Sequence, residues 1–93
     1  MTKVTKDSMV VTWKAPESDG GSPITGYIIE RCLATAANRW LRANKQLVPE
    51  LMFKATELVE DNEYIFRVMA ENKVGQGEPS EPTKPVMARD PWR

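Results

Sequence analysis

Tyr64-Ile65-Phe66-Arg67-Val68-Met69-Ala70-Glu71-Asn72 is the stretch that decides the fold. Tyr64, Phe66, Val68 and Ala70 alternate with Ile65, Arg67, Met69 and Glu71, and a period of two is that of a strand with one face on a core. Toward the N-terminus, Tyr27-Ile28-Ile29-Glu30-Arg31-Cys32 predicts a second strand with Tyr27, Ile29 and the stem of Arg31 inward and Ile28 and Glu30 outward. Ser8 to Lys14 predicts a third, with Met9, Val11 and Trp13 on one face, Val10 and Thr12 on the other, and Pro16 ending it. Three such strands surround one buried tryptophan, Trp13.

The remaining chain is read around these. Glu17-Ser18-Asp19-Gly20-Gly21-Ser22-Pro23 is dense in turn residues. Trp40 to Asn44 predicts a short edge strand, and Met52 to Ala55 another with Phe53 and Ala55 inward. Val59 to Asn62 is a corner. Lys73 to Pro79 is a loop, Pro79 and Pro82 restrain the backbone after it, and Thr83 to Ala88 predicts the last strand. Thr2 to Thr5, with Val4 inward, leaves room for a short first strand. Leu33 to Leu47 competes as a helix through Ala34, Ala36, Ala37, Leu41 and Ala43. Strand-rich flanks with turn signals at regular spacing favour the all-β reading.

At 93 residues the chain has room for one domain, and 41% apolar with 28% charged residues is ordinary for a folded one. Lys plus Arg and Asp plus Glu both number 13, which leaves no net field for nucleic acid or an anionic membrane. Cys32 is the sole cysteine, so no intrachain disulfide forms and a reducing, cytoplasmic home is favoured. No Asn-x-Ser/Thr acceptor and no signal-like or spanning segment occurs.

Chemistry finds little to work with. The chain has no histidine, which removes His-based triads and His metal ligands. One thiol cannot build a structural zinc site. Glu57, Glu60, Asp61 and Glu63 cluster without calcium-loop spacing and read as a solvated corner. Gly75-x-Gly77 reads as a hairpin loop and not as a phosphate cradle, and Cys32 as a small buried filler. No catalytic, cofactor-binding or metal-binding residue is expected, and the chain does not read as an enzyme. Trp92, beside Pro91, is read equally as packing on the domain or as part of a linker contact.

Trp13-Lys14-Ala15-Pro16, Asp19-Gly20-Gly21-Ser22-Pro23-Ile24-Thr25-Gly26-Tyr27, Arg39-Trp40, and Leu58 followed by Tyr64-x-Phe66-Arg67-Val68-x-Ala70-x-Asn72 together resemble the fibronectin type III family over nearly the whole chain. Glu71-Asn72-Lys73-Val74-Gly75 and Pro79-Ser80-Glu81-Pro82 look most like the modules of giant muscle proteins. The resemblance implies an all-β, seven-stranded, two-sheet antiparallel sandwich of immunoglobulin-like form over residues 1–93, with 89–93 a linker. It makes Trp13 the core tryptophan and Tyr64 the residue whose hydroxyl pins a corner, with Leu58 beneath it. Pattern and resemblance together put Trp13, Tyr27, Ile29, Trp40, Phe53, Leu58, Tyr64, Phe66 and Val68 in the core.

Seven reversing strands are an odd number, which predicts that the chain enters and leaves at opposite poles. Met1 stands where the family has a proline-rich lead, so the first strand is expected to be trimmed. Leu33-Ala34-Thr35-Ala36-Ala37 fills a loop that is usually charged in such modules, and is read as a tolerated loop ahead of a partner patch.

By resemblance the function is a structural and scaffolding module of a giant sarcomeric filament protein. It would sit in the cytoplasm, in the A-band. Its partners would be neighbouring immunoglobulin-like and fibronectin type III modules, with thick-filament myosin or myosin-binding protein C as weak contacts. The alternative is an extracellular adhesion or receptor module that binds a protein ligand through its loops. No Arg-Gly-Asp and no Trp-Ser-x-Trp-Ser sequence is present to favour it.

Overall fold

Ten residues, Glu63–Asn72, form β5, the strand on which the larger sheet is assembled. A computed structural model describes residues 3–15, 23–36 and 39–91. β1 is Met9–Thr12, β2 Ile24–Leu33, β3 Leu41–Arg42, β4 Met52–Ala55, β6 Gly75–Gln76 and β7 Val86–Met87. All pairing is antiparallel: β1 with β4 in a two-stranded sheet, and β3-β2-β5-β6 with β7 also on β5 in a five-stranded one. Leu33 to Leu47 is not helical among the described residues beyond the single short turn Ala34–Ala36.

β2 and β5 are bound over a long register that includes Tyr27 opposite Ala70, Ile29 opposite Val68 and Leu33 opposite Tyr64. Alternation then sends one row inward. Met9, Val11, Tyr27, Ile29, Ala55, Leu58, Tyr64, Phe66, Val68 and Ala88 form the core, and Phe66 and Ile29 are fully buried. The outward row is not simply solvated. Ile28 and Met69 face each other across the sheet and are both buried, as are Cys32 and Ile65.

Beyond β3, the free edge of β2 is closed by a side chain. Ala43 N donates to Ile29 O at 2.7 Å, while Ile29 N donates to the Oδ1 of Asn44 at 2.9 Å. Asn44 Nδ2 in turn donates to Tyr27 O at 3.1 Å and Gln46 O at 2.7 Å. A buried amide that meets main-chain groups on three sides substitutes for strand pairing. The returning segment lies so close that a Cβ on Gly26 would stand 2.7 Å from the Cβ of Leu47. Glycine is required there by space.

The last strand is shorter than Thr83 to Ala88, because the run before it pairs with β5 in a different rhythm. Gly77 N donates to Ala70 O, Ser80 N to Val68 O and Thr83 N to Phe66 O, after which Val86 pairs with Tyr64. Three residues of this run match two of β5. Pro79, Pro82 and Pro85 each precede a contact residue, and their missing N–H is not needed at those positions. A three-residue repeat is also the period of the extended helix that prolines favour. The hydroxyls complete the match: Val68 N donates to Ser80 Oγ at 2.9 Å and Phe66 N to Thr83 Oγ1 at 3.1 Å.

Two expectations are corrected here. No strand forms at Thr2 to Thr5 among the described residues, although Val4 does pack on the core. Lys6 N donates to Asp90 Oδ1 at 3.0 Å, which ties Asp90, expected in the linker, to the domain. Of the turn read at 17–23, all but Pro23 lies outside the described residues, as does Trp92.

Removing the edge hydroxyls orphans two amides of β5. Ser80→Ala and Thr83→Val are each expected to destabilise by about 1 kcal/mol, read as a lowered urea midpoint at unchanged slope.

Candidate functional site

The corner from Thr56 to Asn62 is where the two sheets are joined. Its backbone turns through Glu57 and Asp61, both at positive φ (60° and 70°), which a non-glycine residue holds only when neighbours enforce it. They do. Leu58 N donates to Asp7 O, Asp61 N to Ala88 O and Asn62 N to Val59 O. The hydroxyl of Tyr64 accepts from Val59 N at 2.8 Å, so the phenol is buried with its one polar atom satisfied. Arg31 extends across the same ring, its Cζ 6.0 Å from the centroid, and donates from Nη1 to Thr56 O at 3.2 Å.

A second cluster occupies the outer face of the larger sheet. Glu30 and Arg67 stand opposite each other on β2 and β5, and Arg67 Nε donates to Glu30 Oε1 at 2.7 Å. The guanidinium lies over the ring of Trp40, 4.4 Å from its centroid. Carboxylate, guanidinium and indole thus form a ladder that partly covers this face. On the same face, Gln76 Nε2 is 2.8 Å from Met69 Sδ.

The hairpin pole carries the larger concavity, about 740 Å³, bounded by Trp13, Ile24, Tyr27, Val68, Ala70 and the Val74–Gly77 hairpin. Trp13 meets Tyr27 edge-on, with centroids 5.4 Å apart and planes at 62°. Its Nε1 is buried without a partner among the described residues. The hairpin itself is shaped by Asn72, whose Oδ1 accepts from Val74 N and Gly75 N, and by Gly75 at φ +151°.

The expected core residues fall into three groups. Tyr27, Ile29, Leu58, Tyr64, Phe66 and Val68 lie in the core cluster. Trp13 and Phe53 are partly buried against it, and Trp13 follows β1 instead of lying within the strand. Trp40 is the correction: it stands outside the cluster, because the chain delivers it to the outer face where Arg67 meets it. Asn44, Ser80 and Thr83 were not read from the sequence as supports. The prolines at every third position from 79 to 85 were a signal for the last two; nothing local marks Asn44.

Among the described residues no catalytic constellation gathers. Cys32 is buried and directs Sγ to Ala36 O at 2.7 Å. Among the described residues no group of three or more His, Cys, Asp or Glu is placed to hold a metal ion. Among the described residues no helix is long and apolar enough to cross a membrane.

Comparison with known proteins agrees with the architecture. The sequence profile of the fibronectin type III domain matches residues 1–86. Fast-type myosin-binding protein C of chicken is 39% identical over 87 residues, which are 94% of this chain and 8% of that protein. A crystal structure of a segment of titin domains superposes with a TM-score of 0.90 at 44% identity, over 96% of this chain and 30% of that one. A single titin module from human cardiac muscle gives 0.84 at 38% identity, over 92% and 83%. Among giant muscle proteins the sequence motifs point to titin first and myosin-binding protein C next, and both are found. The chain spans between 7% and 14% of the length of the curated relatives it matches.

Tyr64→Phe removes the acceptor of the buried Val59 amide and is expected to cost about 1–3 kcal/mol by chemical denaturation. A double-mutant cycle of Trp40→Leu and Arg67→Met is expected to return a coupling of about 0.5–1 kcal/mol.

Proposed function

The chain belongs to the fibronectin type III family, and from that premise we propose that it is a structural and scaffolding module of a giant sarcomeric filament protein of the titin kind. It spaces and bears load along the filament, in the A-band, and docks weakly on the thick filament. The observation that carries this reading is the match at 44% identity to a titin segment of which the chain spans 30%. A unit that matches one part of a segment of several domains suits a modular polypeptide.

The geometry is consistent with that role. The described residues extend over 47 × 24 × 22 Å, and the buried Asn44 amide and Tyr64 hydroxyl are committed to holding a strand edge and a corner. What remains for partners is a modest mixed surface, and contacts of that size are weak when isolated. Linking modules makes later contacts intramolecular and raises avidity by roughly 10² to 10⁴ where spacing fits the partner. The partners proposed are neighbouring immunoglobulin-like and fibronectin type III modules of the same chain, and thick-filament myosin or myosin-binding protein C.

Cosedimentation with myosin filaments tests the proposal. At equal module concentration the single domain is expected to stay in the supernatant and a tandem segment containing it to pellet with the filaments. Equal, negligible binding by both leaves a passive spacer and removes thick-filament docking.

A further inference from the structure

Residues 77–85 form neither strand nor helix, yet they lie bound along β5. Gly77, Ser80 and Thr83 each donate a main-chain N–H to that strand, and the hydroxyls of Ser80 and Thr83 accept from it. A contact at every third residue is the rhythm of the extended polyproline helix, which turns once in three residues. Such a helix carries three rows of side chains. One row, Gly77 with Ser80 and Thr83, is turned to β5. The other two, Pro79-Pro82-Pro85 and Glu78-Glu81-Lys84, are exposed at every position.

We propose that this run is a recognition element for a polyproline-reading domain, whose aromatic-lined groove takes Pro79 and Pro82 and whose acidic pocket takes Lys84. Two features of the run choose that occupant. The first is which rows are free. A groove that reads a threefold helix touches two of its rows and leaves the third outside, and here β5 already holds the third. Those same bonds keep the run in its extended shape before any partner arrives, so docking costs little ordering entropy. The second is residue order: Pro79-Ser80-Glu81-Pro82-Thr83-Lys84 has the Pro-x-x-Pro spacing with a cation two residues on.

Charge refines the partner. Among the described residues the side chains of Glu78, Glu81 and Lys84 make no ion pair or hydrogen bond. The charged residues of β5 and its hairpin do not cancel them: Arg67 is held by Glu30, Glu71 and Lys73 are of opposite sign, and Glu63 stands at the far end opposite Met87. The partner therefore presents a carboxylate to Lys84 and basic groups beside Glu78 and Glu81. An added β-strand is the poorer occupant. It needs a donor at every second residue, whereas the free N–H groups of this edge, those of Glu78, Glu81 and Lys84, recur at every third.

The test is an NMR titration of the isotope-labelled chain. The probe is an SH3 domain whose aromatic groove ends in an acidic pocket, and the comparator is a WW domain. Saturable shift changes confined to the amides of residues 76–86 are expected with the SH3 domain, and weaker binding with the WW domain. Pro82→Ala and Lys84→Glu are each expected to lower the affinity about tenfold, and Lys84→Arg to keep it. Val74→Ser, at the exposed hairpin, is expected to leave it unchanged. Each of these side chains is exposed, so the thermal midpoint is expected to stay where it was. A free peptide of residues 77–86 is expected to bind the SH3 domain more weakly than the folded chain does, because nothing holds it extended in advance. Absence of binding, shifts centred elsewhere on the domain, or full affinity in the folded Pro82→Ala variant overturns the proposal. So does tighter binding by the free peptide, which shows that the sandwich hides one of the two rows, or by the WW domain, which leaves Lys84 without a part.

Discussion

Strand β5 lies inside its sheet, so each main-chain donor and acceptor along its ten residues must be met from one side or the other. β2 meets one side in a register broken only between Ile24 and Gly26. The other side is met by β6, then by a proline-punctuated run that touches β5 once in three residues, then by β7. Ser80 and Thr83 fill the remaining sites with hydroxyl oxygens, which accept from the Val68 and Phe66 amides while the run's own N–H groups serve the β5 carbonyls. The same prolines blunt the sheet's outer edge against pairing with another chain.

With β5 held on both sides, its inner row, Tyr64, Phe66 and Val68, becomes the floor on which Met9, Val11 and Ala55 of the small sheet rest. Two short strands bury little by themselves. Their position depends on the corner, where Leu58 N reaches Asp7 O, Val59 N reaches the Tyr64 hydroxyl and Arg31 reaches Thr56 O. One pole is therefore both the clasp between the sheets and the place from which the chain departs. Two main-chain bonds, Ala88 N to Asn62 O and Asp61 N to Ala88 O, join that last segment to the clasp.

Strand identity was legible wherever alternation was long. Tyr64 to Asn72, Tyr27 to Cys32 and Met52 to Ala55 were read as strands and are strands, because a two-residue period over several residues has few other solutions. The buried phenol at a corner was legible as well, since Tyr64 carries one polar atom that burial obliges to find a partner. Absent histidine and the solitary cysteine limited the chemistry before any coordinate was known.

Other features depend on what a distant segment does, and sequence distance hides them. Trp40 has the composition of a core residue, but β3 delivers it to the face where Arg67 and Glu30 already stand, so its neighbour decided its place. Asn44 is an ordinary loop residue until the chain from 43 to 48 is laid beside β2 and leaves Ile29 N without an acceptor. Leu33 and Leu41 are inward by parity and exposed in fact, because parity is local whereas cover depends on how far the other sheet extends. The sequence alone determined periodicity, the strands and the absence of an imidazole; tertiary structure decided which faces were covered, since burial is set by the element packed opposite and not by the residue itself.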